Sequence, residues 1–279
     1  MAEYAHPESL VTTEWVAAHG GDAGVRLVEV DVDTNAYDQG HIEGAVGWDW
    51  TTQLQDTLAR DIISKSDMEE LLGGSGIGND TTVILYGDNN NWFAAWAFWQ
   101  MRMYGHESVK LMDGGRAKWE AEGRPLTTDA TSHESVRYIA AEPDTSIRAF
   151  REQVVGAASN GSSFFVDVRA PEEFRGELLA PAALPQEGAQ RGGHIPGAAN
   201  VPWATAVAPD GSFKSADELI EIYGSRVDNS KPTIAYCRIG ERSSHTWFVL
   251  TQLLGLDNVS NYDGSWTEYG SIVRAPIER

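Results

Sequence analysis

The chain has 279 residues, of which 42% are hydrophobic and 10% aromatic, a composition that fits a packed globular protein and excludes a disordered one. Its formal net charge of −20 at pH 7 argues against nucleic acids and anionic membranes as partners, because both bind basic surfaces. No stretch approaches the roughly 18 apolar residues of a membrane span, no signal peptide is recognisable, and a single cysteine excludes an internal disulfide and a cysteine-rich metal site.

Short apolar runs alternate along the chain with segments of helical periodicity. Apolar runs without polar alternation are typical of strands buried on both faces, and they lie at residues 27–32, 82–86, 164–168 and 233–236. Candidate helices lie at residues 66–72, 93–104, 215–223 and 243–254. This alternation predicts an α/β protein with a mostly parallel sheet and helices on both faces.

The two halves of the chain repeat each other. A Gly-His-Ile-x-Gly-Ala segment begins at Gly40 and again at Gly193, and an Asp-Val pair precedes each copy. Further on, VKLMDGGRAKW at residues 109–119 matches VSNYDGSWTEY at residues 259–269. The second half carries an insertion in the Pro- and Gly-rich residues 178–193, which we expect to form a loop.

Two copies imply two α/β domains. We place the first at residues 1–126 and the second at residues 145–279. The polar residues 127–144, with Pro125 and Pro143 near their ends, are the expected linker.

The copies diverge where the second strand of each half ends. Cys237 in the second half aligns with Gly87 in the first, so only the second domain can perform thiol chemistry. Arg238 and Arg242 follow Cys237 in a loop that leads into a helix, and the aligned first-half positions carry no arginine. The carboxyl ends of parallel strands are where open α/β sheets bind ligands. A thiol among arginines at such a place indicates a nucleophile that acts on an anion.

The same surroundings predict a reactive thiol. An ordinary cysteine has a pKa of about 8.5. Backbone N–H groups of the loop, the helix N-terminus and the two arginines would favour the thiolate, and Gly240 would let the loop bend tightly. We therefore expect a lowered pKa for Cys237. The alternative is a buried structural cysteine.

These features resemble the rhodanese family of sulfurtransferases, in particular its two-domain thiosulfate sulfurtransferases of bacterial type. The resemblance spans nearly the whole chain and is carried by the residues 237–243 (CRIGERS), both Gly-His-Ile-x-Gly-Ala segments, the residues 167–169 (DVR) and the residues 262–266 (YDGSW). It implies two tandem rhodanese-like domains, of which the first is catalytically silent and the second is catalytic.

The resemblance also implies the reaction. Cys237 would take the outer sulfur of thiosulfate as a persulfide, sulfite would leave, and cyanide or a cellular thiol would accept the sulfur. The residues expected to bind the substrate share a place in the cysteine loop or at the same sheet edge: Arg238, Ile239, Gly240, Glu241, Arg242, Ser243 and Arg169. For Arg169 a structural ion pair is an equal alternative to substrate contact.

Departures from vertebrate thiosulfate enzymes leave the donor open. Those enzymes have a lysine where this chain has Ile239, a basic residue where it has Glu173 and a small polar residue where it has Arg242. Arg175 is a weaker candidate for substrate contact. A structural role is favoured over a general base for His245, and His41 and His194 occur in both copies, which indicates a role in the fold.

Three other functions remain alternatives. Mercaptopyruvate could be the donor, or the chain could carry persulfide for a protein partner. A cysteine phosphatase or arsenate reductase is disfavoured, because Cys237 to Arg242 is Cys-x4-Arg and those phosphatases use Cys-x5-Arg. The expected partners are thus a small sulfur donor and a thiophilic acceptor in the cytoplasm, with no metal and no cofactor, and the oligomeric state is left open.

Overall fold

The structure is a computed structural model that describes residues 2–180 and 188–279. Among these residues, no helix combines the length and the apolar character needed to cross a membrane. The described residues form two compact units. The N-terminal unit comprises Glu8–Asp144 and Val207–Phe213; the C-terminal unit comprises the described residues of Thr145–Ala206, Lys214–Arg279 and the segment that ends at Pro7.

The N-terminal unit is built on a parallel five-stranded sheet in the order β1-β7-β6-β2-β3, beside a small antiparallel β4–β5 hairpin. Its strands are β1 (Leu10–Val11), β2 (Val25–Glu29), β3 (Val46–Gly47), β4 (Gln55–Asp56), β5 (Asp61–Ile62), β6 (Thr82–Tyr86) and β7 (Val109–Met112). Its helices are α1 (Thr13–His19), α2 (Ala36–Gln39), α3 (Trp50–Gln53), α4 (Lys65–Gly74), α5 (Asp88–Met103) and α6 (Gly115–Ala121), after a 3₁₀ turn at Pro7–Ser9.

The C-terminal unit has a parallel four-stranded sheet in the order β11-β10-β8-β9. Its strands are β8 (Phe164–Asp167), β9 (Ala199–Asn200), β10 (Thr233–Tyr236) and β11 (Val259–Tyr262). Its helices are α7 (Arg151–Asn160), α8 (Pro171–Phe174), α9 (Ala216–Tyr223), α10 (Glu241–Phe248) and α11 (Ser265–Tyr269), with a π-helical turn at Val249–Leu253 and 3₁₀ turns at Thr145–Ile147 and Trp203–Ala206. The predicted α/β architecture, with parallel sheets and helices around them, is confirmed.

Local signals explain where the helices begin. Ser215 caps α9 by accepting a hydrogen bond from the Glu218 N–H, and the Glu218 carboxylate accepts one from the Ser215 N–H. Ser64 and Asp67 form the same reciprocal pair at α4. Strands β6 and β10 have the predicted bounds, whereas β2 ends at Glu29 and the predicted strand at 27–32 is wrong in its last three residues.

The predicted linker, residues 127–144, contains neither helix nor strand and runs along the N-terminal unit. The Val136 N–H donates to the Gly73 carbonyl at 3.0 Å, and the Ala141 N–H donates to the Tyr104 carbonyl at 2.9 Å. Of the predicted loop at 178–193, residues 181–187 lie outside the described residues. The remainder of that loop has no regular secondary structure.

Each sheet has an apolar core of its own. Leu27, Ile84 and Trp119 belong to the core of the N-terminal unit. Phe165 and Trp266 belong to that of the C-terminal unit. In the C-terminal sheet, Tyr236 at the end of β10 is in register with Asp167 on β8 and Tyr262 on β11. The next residue along the central strand is Cys237.

Candidate active site

Cys237 lies directly after β10, at the carboxyl edge of the parallel sheet, and is fully buried. Its N–H donates to the Ser265 hydroxyl at 3.0 Å, and its carbonyl accepts from the Trp266 N–H at 3.1 Å. Ser265 and Trp266, the first two residues of α11, therefore fix the backbone of the cysteine. The sequence placed the thiol at this edge of the sheet, and the structure puts it there.

Gly240 closes the loop after the cysteine. Its φ of 98° lies in the left-handed region, and a Cβ at this position would come within 2.5 Å of the Asp263 Cα. The Gly240 N–H donates to the Cys237 Sγ at 3.2 Å. Its carbonyl accepts from the Ser244 hydroxyl at 2.8 Å and from the Asn261 side-chain amide at 3.0 Å. Glycine is thus required for a turn that aims a backbone donor at the sulfur.

A carboxylate contacts the sulfur. The Cys237 thiol donates to the Glu241 Oε2 at 3.2 Å, and the Ile239 N–H donates to the same oxygen at 3.2 Å. Glu241 is fully buried. The other carboxylate oxygen, Oε1, lies 3.6 Å from the Arg238 Nη2 and 4.0 Å from the Arg242 Nε. The sequence predicted Glu241 only as a member of the substrate-binding loop, and no local pattern indicated its contact with the sulfur.

Arg242 is held by a second buried carboxylate. Its two terminal nitrogens donate to the two oxygens of Glu173, on α8, at 2.8 and 3.1 Å. Burial raises the pKa of Glu173, but Arg242 outweighs it and the net shift is downward. The two arginines of the loop are therefore paired with two glutamates, Glu241 and Glu173, and the formal charges of these four side chains cancel.

The expectation of a lowered thiol pKa is wrong for this structure. Burial raises the pKa of Cys237, Glu241 raises it further, and Arg242 opposes both without reversing them. The sequence showed the arginines next to the cysteine. It did not show that Glu173, far away in the chain, neutralises one of them, or that Glu241 turns towards the sulfur.

Arg169 forms an ion pair within the fold. It is fully buried, its Nη2 lies 2.6 Å from the Asp167 Oδ2, and the same nitrogen donates to the Gly193 carbonyl at 2.7 Å. Its guanidinium also lies 4.6 Å from the ring centroid of Trp266. Of the two roles considered for Arg169, these contacts support the structural one. Arg175 is half-exposed and pairs with Glu177 at 2.8 Å.

The duplicated histidines have matching contacts. His41 stacks on Tyr37 and its Nδ1 lies 2.9 Å from the Tyr37 carbonyl. His194 stacks on Phe174 and its Nδ1 lies 2.9 Å from the Phe174 carbonyl. The same arrangement in both copies supports a role in the fold. His245 is fully buried in α10, where burial lowers its pKa to about 3.

The first copy fills the corresponding place with its own side chains. A Cβ on Gly87 would lie 2.1 Å from the Val30 carbonyl oxygen, so no thiol fits there without a shift of the backbone. The Asn91 side chain accepts from the Gly87 N–H at 3.0 Å and donates to the Met112 carbonyl at 2.7 Å. Asn89, Asn90 and Asn91 all have positive φ. In the first copy the side-chain amide of Asn91 thus holds the loop, whereas in the second copy the thiol of Cys237 and the carboxylate of Glu241 meet at the corresponding place.

Within residues 2–180 and 188–279, no three His, Cys, Asp or Glu side chains converge as a metal site would require. The chemistry that the described site offers is that of a thiol, a carboxylate and backbone donors.

Comparison with known proteins agrees with this geometry. The family model of the rhodanese-like domain matches twice, at residues 12–122 and 151–271. A relative from Saccharopolyspora erythraea, named "Putative thiosulfate sulfurtransferase", is 59% identical over 97% of this chain and 96% of its own. A relative from Thermus thermophilus, named sulfur carrier protein TtuD, is 53% identical over 99% of this chain and 98% of its own.

Solved structures give the same fold. The 3-mercaptopyruvate sulfurtransferase SseA from Escherichia coli superposes with a TM-score of 0.81 at 27% identity, over 92% of this chain and 98% of that one. A complex of EanB with ergothioneine gives a TM-score of 0.86 at 24% identity, over 100% of this chain and 71% of that one, and shows the likeness of fold alone. With two matched domains and relatives above 50% identity along its length, the chain belongs to the rhodanese family of sulfurtransferases.

Proposed function

We propose that the protein transfers the sulfane sulfur of thiosulfate to cyanide or to a thiol, and that Cys237 carries the sulfur as a persulfide. The C-terminal domain, residues 145–279, is the catalytic one and the domain at residues 1–126 is silent. The observation that carries the proposal is the position of the only cysteine at the end of a central parallel strand, with the Gly240 N–H on its sulfur.

The reaction needs two displacements. The Cys237 sulfur attacks the outer sulfur of thiosulfate, and the electron pair of the broken S–S bond leaves with sulfite. Cyanide or a thiolate then attacks the outer sulfur of the persulfide and releases the cysteine. The loop from Arg238 to Ser243 is proposed to bind the donor, chiefly through backbone donors such as the Gly240 N–H.

Thiosulfate as donor is supported by the names of the relatives from Saccharopolyspora erythraea and Mycolicibacterium smegmatis, the latter 58% identical over 98% of this chain. A second function, persulfide carriage for a protein partner, is favoured by the name of the Thermus thermophilus relative. The E. coli neighbour raises 3-mercaptopyruvate as a third donor. Turnover with thiosulfate, with mercaptopyruvate and with a persulfidated protein, compared on one preparation, ranks the three.

The first prediction concerns the persulfide itself. After incubation with thiosulfate, the intact mass of the protein should rise by one sulfur atom, and peptide mapping should place that atom on Cys237. Because the chain has a single cysteine, Cys237→Ser should show neither the mass increase nor thiocyanate formation while keeping the circular dichroism of the wild type. Sulfur transfer at the wild-type rate by Cys237→Ser would contradict the proposal.

A further inference from the structure

Asn261 is a buried polar residue to which the proposed reaction assigns no role. It lies in β11 and is fully buried. Asparagine is depleted in strands, and an amide removed from water is costly unless its hydrogen bonds are made. The first copy has Leu111 at the aligned place, also fully buried. The second copy therefore carries a polar group where an apolar one is sufficient to build the strand.

The Asn261 amide makes its hydrogen bonds to the turn between β10 and α10. Its Nδ2 donates to the Gly240 carbonyl at 3.0 Å and to the Ser244 hydroxyl at 2.9 Å. Its Oδ1 accepts from the Ser243 hydroxyl at 2.6 Å. Both amide hydrogens and the amide oxygen are thus used. These partners belong to the first turn of α10 or to the glycine that precedes it.

The network of Asn261, Ser243 and Ser244 converges on the Gly240 carbonyl. This carbonyl accepts from the Asn261 amide, from the Ser244 hydroxyl at 2.8 Å and from the Ser244 N–H at 3.1 Å. The N–H of the same glycine donates to the Cys237 Sγ at 3.2 Å. Glycine adopts many backbone conformations, so its N–H keeps one direction only where the rest of the residue is held.

The strand gives the Asn261 amide a rigid support. Asn261 is in register with Ala235 on β10, and its carbonyl accepts from the Ala149 N–H at 2.9 Å. The amide thereby ties Gly240 to the same sheet that carries Cys237. A donor that is held in advance where charge develops stabilises the transition state without reorganisation at the moment of reaction.

The two copies of the domain hold this turn in different ways. The three polar residues of the network align with apolar residues of the first copy, namely Phe93, Ala94 and Leu111. The first copy instead uses Asn91 of α5, whose side chain accepts from the Gly87 N–H at 3.0 Å. The network on the glycine carbonyl therefore occurs in the copy that has the thiol, and the aligned residues of the other copy cannot form it.

We infer that Asn261 is a positioning residue that holds the Gly240 N–H on the sulfur of Cys237 while this sulfur carries negative charge. This inference rests on the proposed persulfide function. Asn261 acts through the glycine, from the side of the turn opposite to the sulfur. Its loss should weaken the stabilisation of charge on the sulfur and slow the attack on the donor.

A purely structural role for Asn261 makes a different prediction. If the amide only stabilises the packing of α10 on β11, its removal should lower the melting temperature and leave the titration of Cys237 unchanged. If the amide positions the Gly240 N–H, its removal should raise the pKa of Cys237, because a hydrogen bond to the charged form of the sulfur is weakened.

The first test is a titration of the thiolate by its ultraviolet absorbance, with Cys237→Ser subtracted as background. Because the chain has a single cysteine, the difference reports Cys237 alone. Asn261→Val and Asn261→Ala remove the same donor and replace it with a larger and a smaller apolar side chain. In both variants the midpoint should lie about 0.5–1 pH unit above that of the wild type. A wild-type midpoint in either variant, provided that it folds, would overturn the inference.

The second test is the single-turnover release of sulfite from thiosulfate. The rate for Asn261→Val and Asn261→Ala should fall about 10- to 10²-fold, somewhat less than the loss of a whole preorganised donor causes. A wild-type rate in both variants would contradict the positioning role.

Trp247 offers a matched control in the same two elements. Its Nε1, near the opposite end of α10, donates to the Val259 carbonyl of β11 at 2.9 Å. Trp247→Phe also removes a buried hydrogen bond between α10 and β11, and it should lower the melting temperature while keeping the wild-type midpoint and rate. If Trp247→Phe shifts the midpoint as far as Asn261→Val does, the positioning role is wrong.

None of these substitutions changes a charge. The charged groups around the cysteine loop, which stay the same in every variant, are Glu241, Arg238 and Arg242 of the loop, Glu173 of α8, and Asp263 after β11 with its partner Arg148. A shift of the midpoint would therefore report the loss of an uncharged donor.

The outcome is distinguishable from failure of the proposed function. The thiolate midpoint is measured without a sulfur donor, so it tests the hold on Gly240 whether or not the wild type accepts sulfur. If the wild type gains no sulfur from thiosulfate, the persulfide function fails. If the wild type gains sulfur and both Asn261 variants match it in midpoint and rate, only the role of Asn261 fails.

Discussion

The balance of charge at the cysteine is set by individual residues that lie far apart in the chain. Glu173 on α8 neutralises Arg242, and Glu241 faces both the thiol and Arg238. Breaking a buried ion pair by removing one partner typically costs about 3–5 kcal/mol, because a buried charge is left uncompensated. Arg242 therefore stabilises the fold of the loop, in addition to any contact it makes with the sulfur donor.

Asp31 is a second buried carboxyl with an unusual environment, in the N-terminal domain. Burial, with Glu29 and Asp88 nearby, raises the pKa of Asp31 to about 9. The unfolded chain releases this proton near pH 4, so the folded state binds one more proton than the unfolded state between about pH 4 and pH 9. The contribution of protonated Asp31 to the free energy of unfolding is therefore fully present below about pH 4 and is lost as the pH rises towards 9.

We therefore predict that Asp31→Asn flattens the pH dependence of stability. Asparagine resembles the protonated acid and can still accept the Asp88 N–H, which donates to the Asp31 Oδ1 at 2.7 Å. Between pH 5 and pH 8, the free energy of unfolding of the wild type should fall by up to about 1.4 kcal/mol per pH unit relative to that of the variant. Urea unfolding at several pH values measures this difference.

The duplication provides the control for this prediction. Asp167 occupies the matching place in the second copy but forms an ion pair with Arg169. Asp167→Asn should destabilise the protein throughout the same pH range, because it leaves the buried Arg169 without its counter-charge. Parallel stability curves for the wild type and Asp31→Asn would show that Asp31 is ionised in the folded protein.

At the scale of elements, the turn between β10 and α10 is the feature on which the site depends. Gly240 takes a left-handed conformation that costs other residues about 1–2 kcal/mol, and a side chain there would also press on Asp263. Gly240→Ala should move the N–H away from the sulfur and reduce the rate of sulfur loading severalfold or more. Sulfite release after mixing with thiosulfate gives the rate.

Gly156, inside α7, offers a matched control for the same substitution. A Cβ there would meet no atom within 4 Å, and alanine favours a helix by about 1 kcal/mol over glycine. Gly156→Ala should leave sulfur loading unchanged and should not lower the melting temperature. Equal loading rates for Gly240→Ala and Gly156→Ala would mean that the turn does not position the sulfur.

Much of the fold could be read from the sequence, and much of the electrostatics of the site could not. Unbroken apolar runs predicted β6 and β10 to the residue, because strands buried on both faces leave that pattern. The end of β2 was missed because Val30 and Val32 continue the apolar run beyond Glu29, where the paired strand stops. The raised pKa of the thiol depends on the burial of Cys237 and on the direction of the Glu241 side chain, which no local pattern reports.

At the scale of the whole molecule, the two copies differ in whether a cysteine can be accommodated at all. A Cβ on Gly87 would lie 2.1 Å from a backbone oxygen, so a thiol cannot be placed there without a shift of the backbone. We predict that the double variant Gly87→Cys with Cys237→Ser takes up no sulfur from thiosulfate and melts at a lower temperature than Cys237→Ser. Intact-mass analysis and thermal melting provide the two measurements.

A cysteine placed where it meets no obstacle serves as the comparison. A Cβ on Gly21 would meet no atom within 4 Å, so Gly21→Cys with Cys237→Ser should melt like Cys237→Ser. Persulfide formation on Gly87→Cys at the wild-type rate would show that the first domain lost only its thiol.

Each compact unit includes a short segment from the other half of the sequence: Val207–Phe213 belongs to the N-terminal unit, and the segment that ends at Pro7 belongs to the C-terminal unit. In the C-terminal unit the Ala5 N–H donates to the Leu253 carbonyl at 2.9 Å, and in the N-terminal unit the Phe213 N–H donates to the Asp113 carboxylate at 2.8 Å. A gene cut at the linker would deprive each product of a short piece encoded by the other. Either half, produced alone, should therefore be less stable than the same half within the full chain.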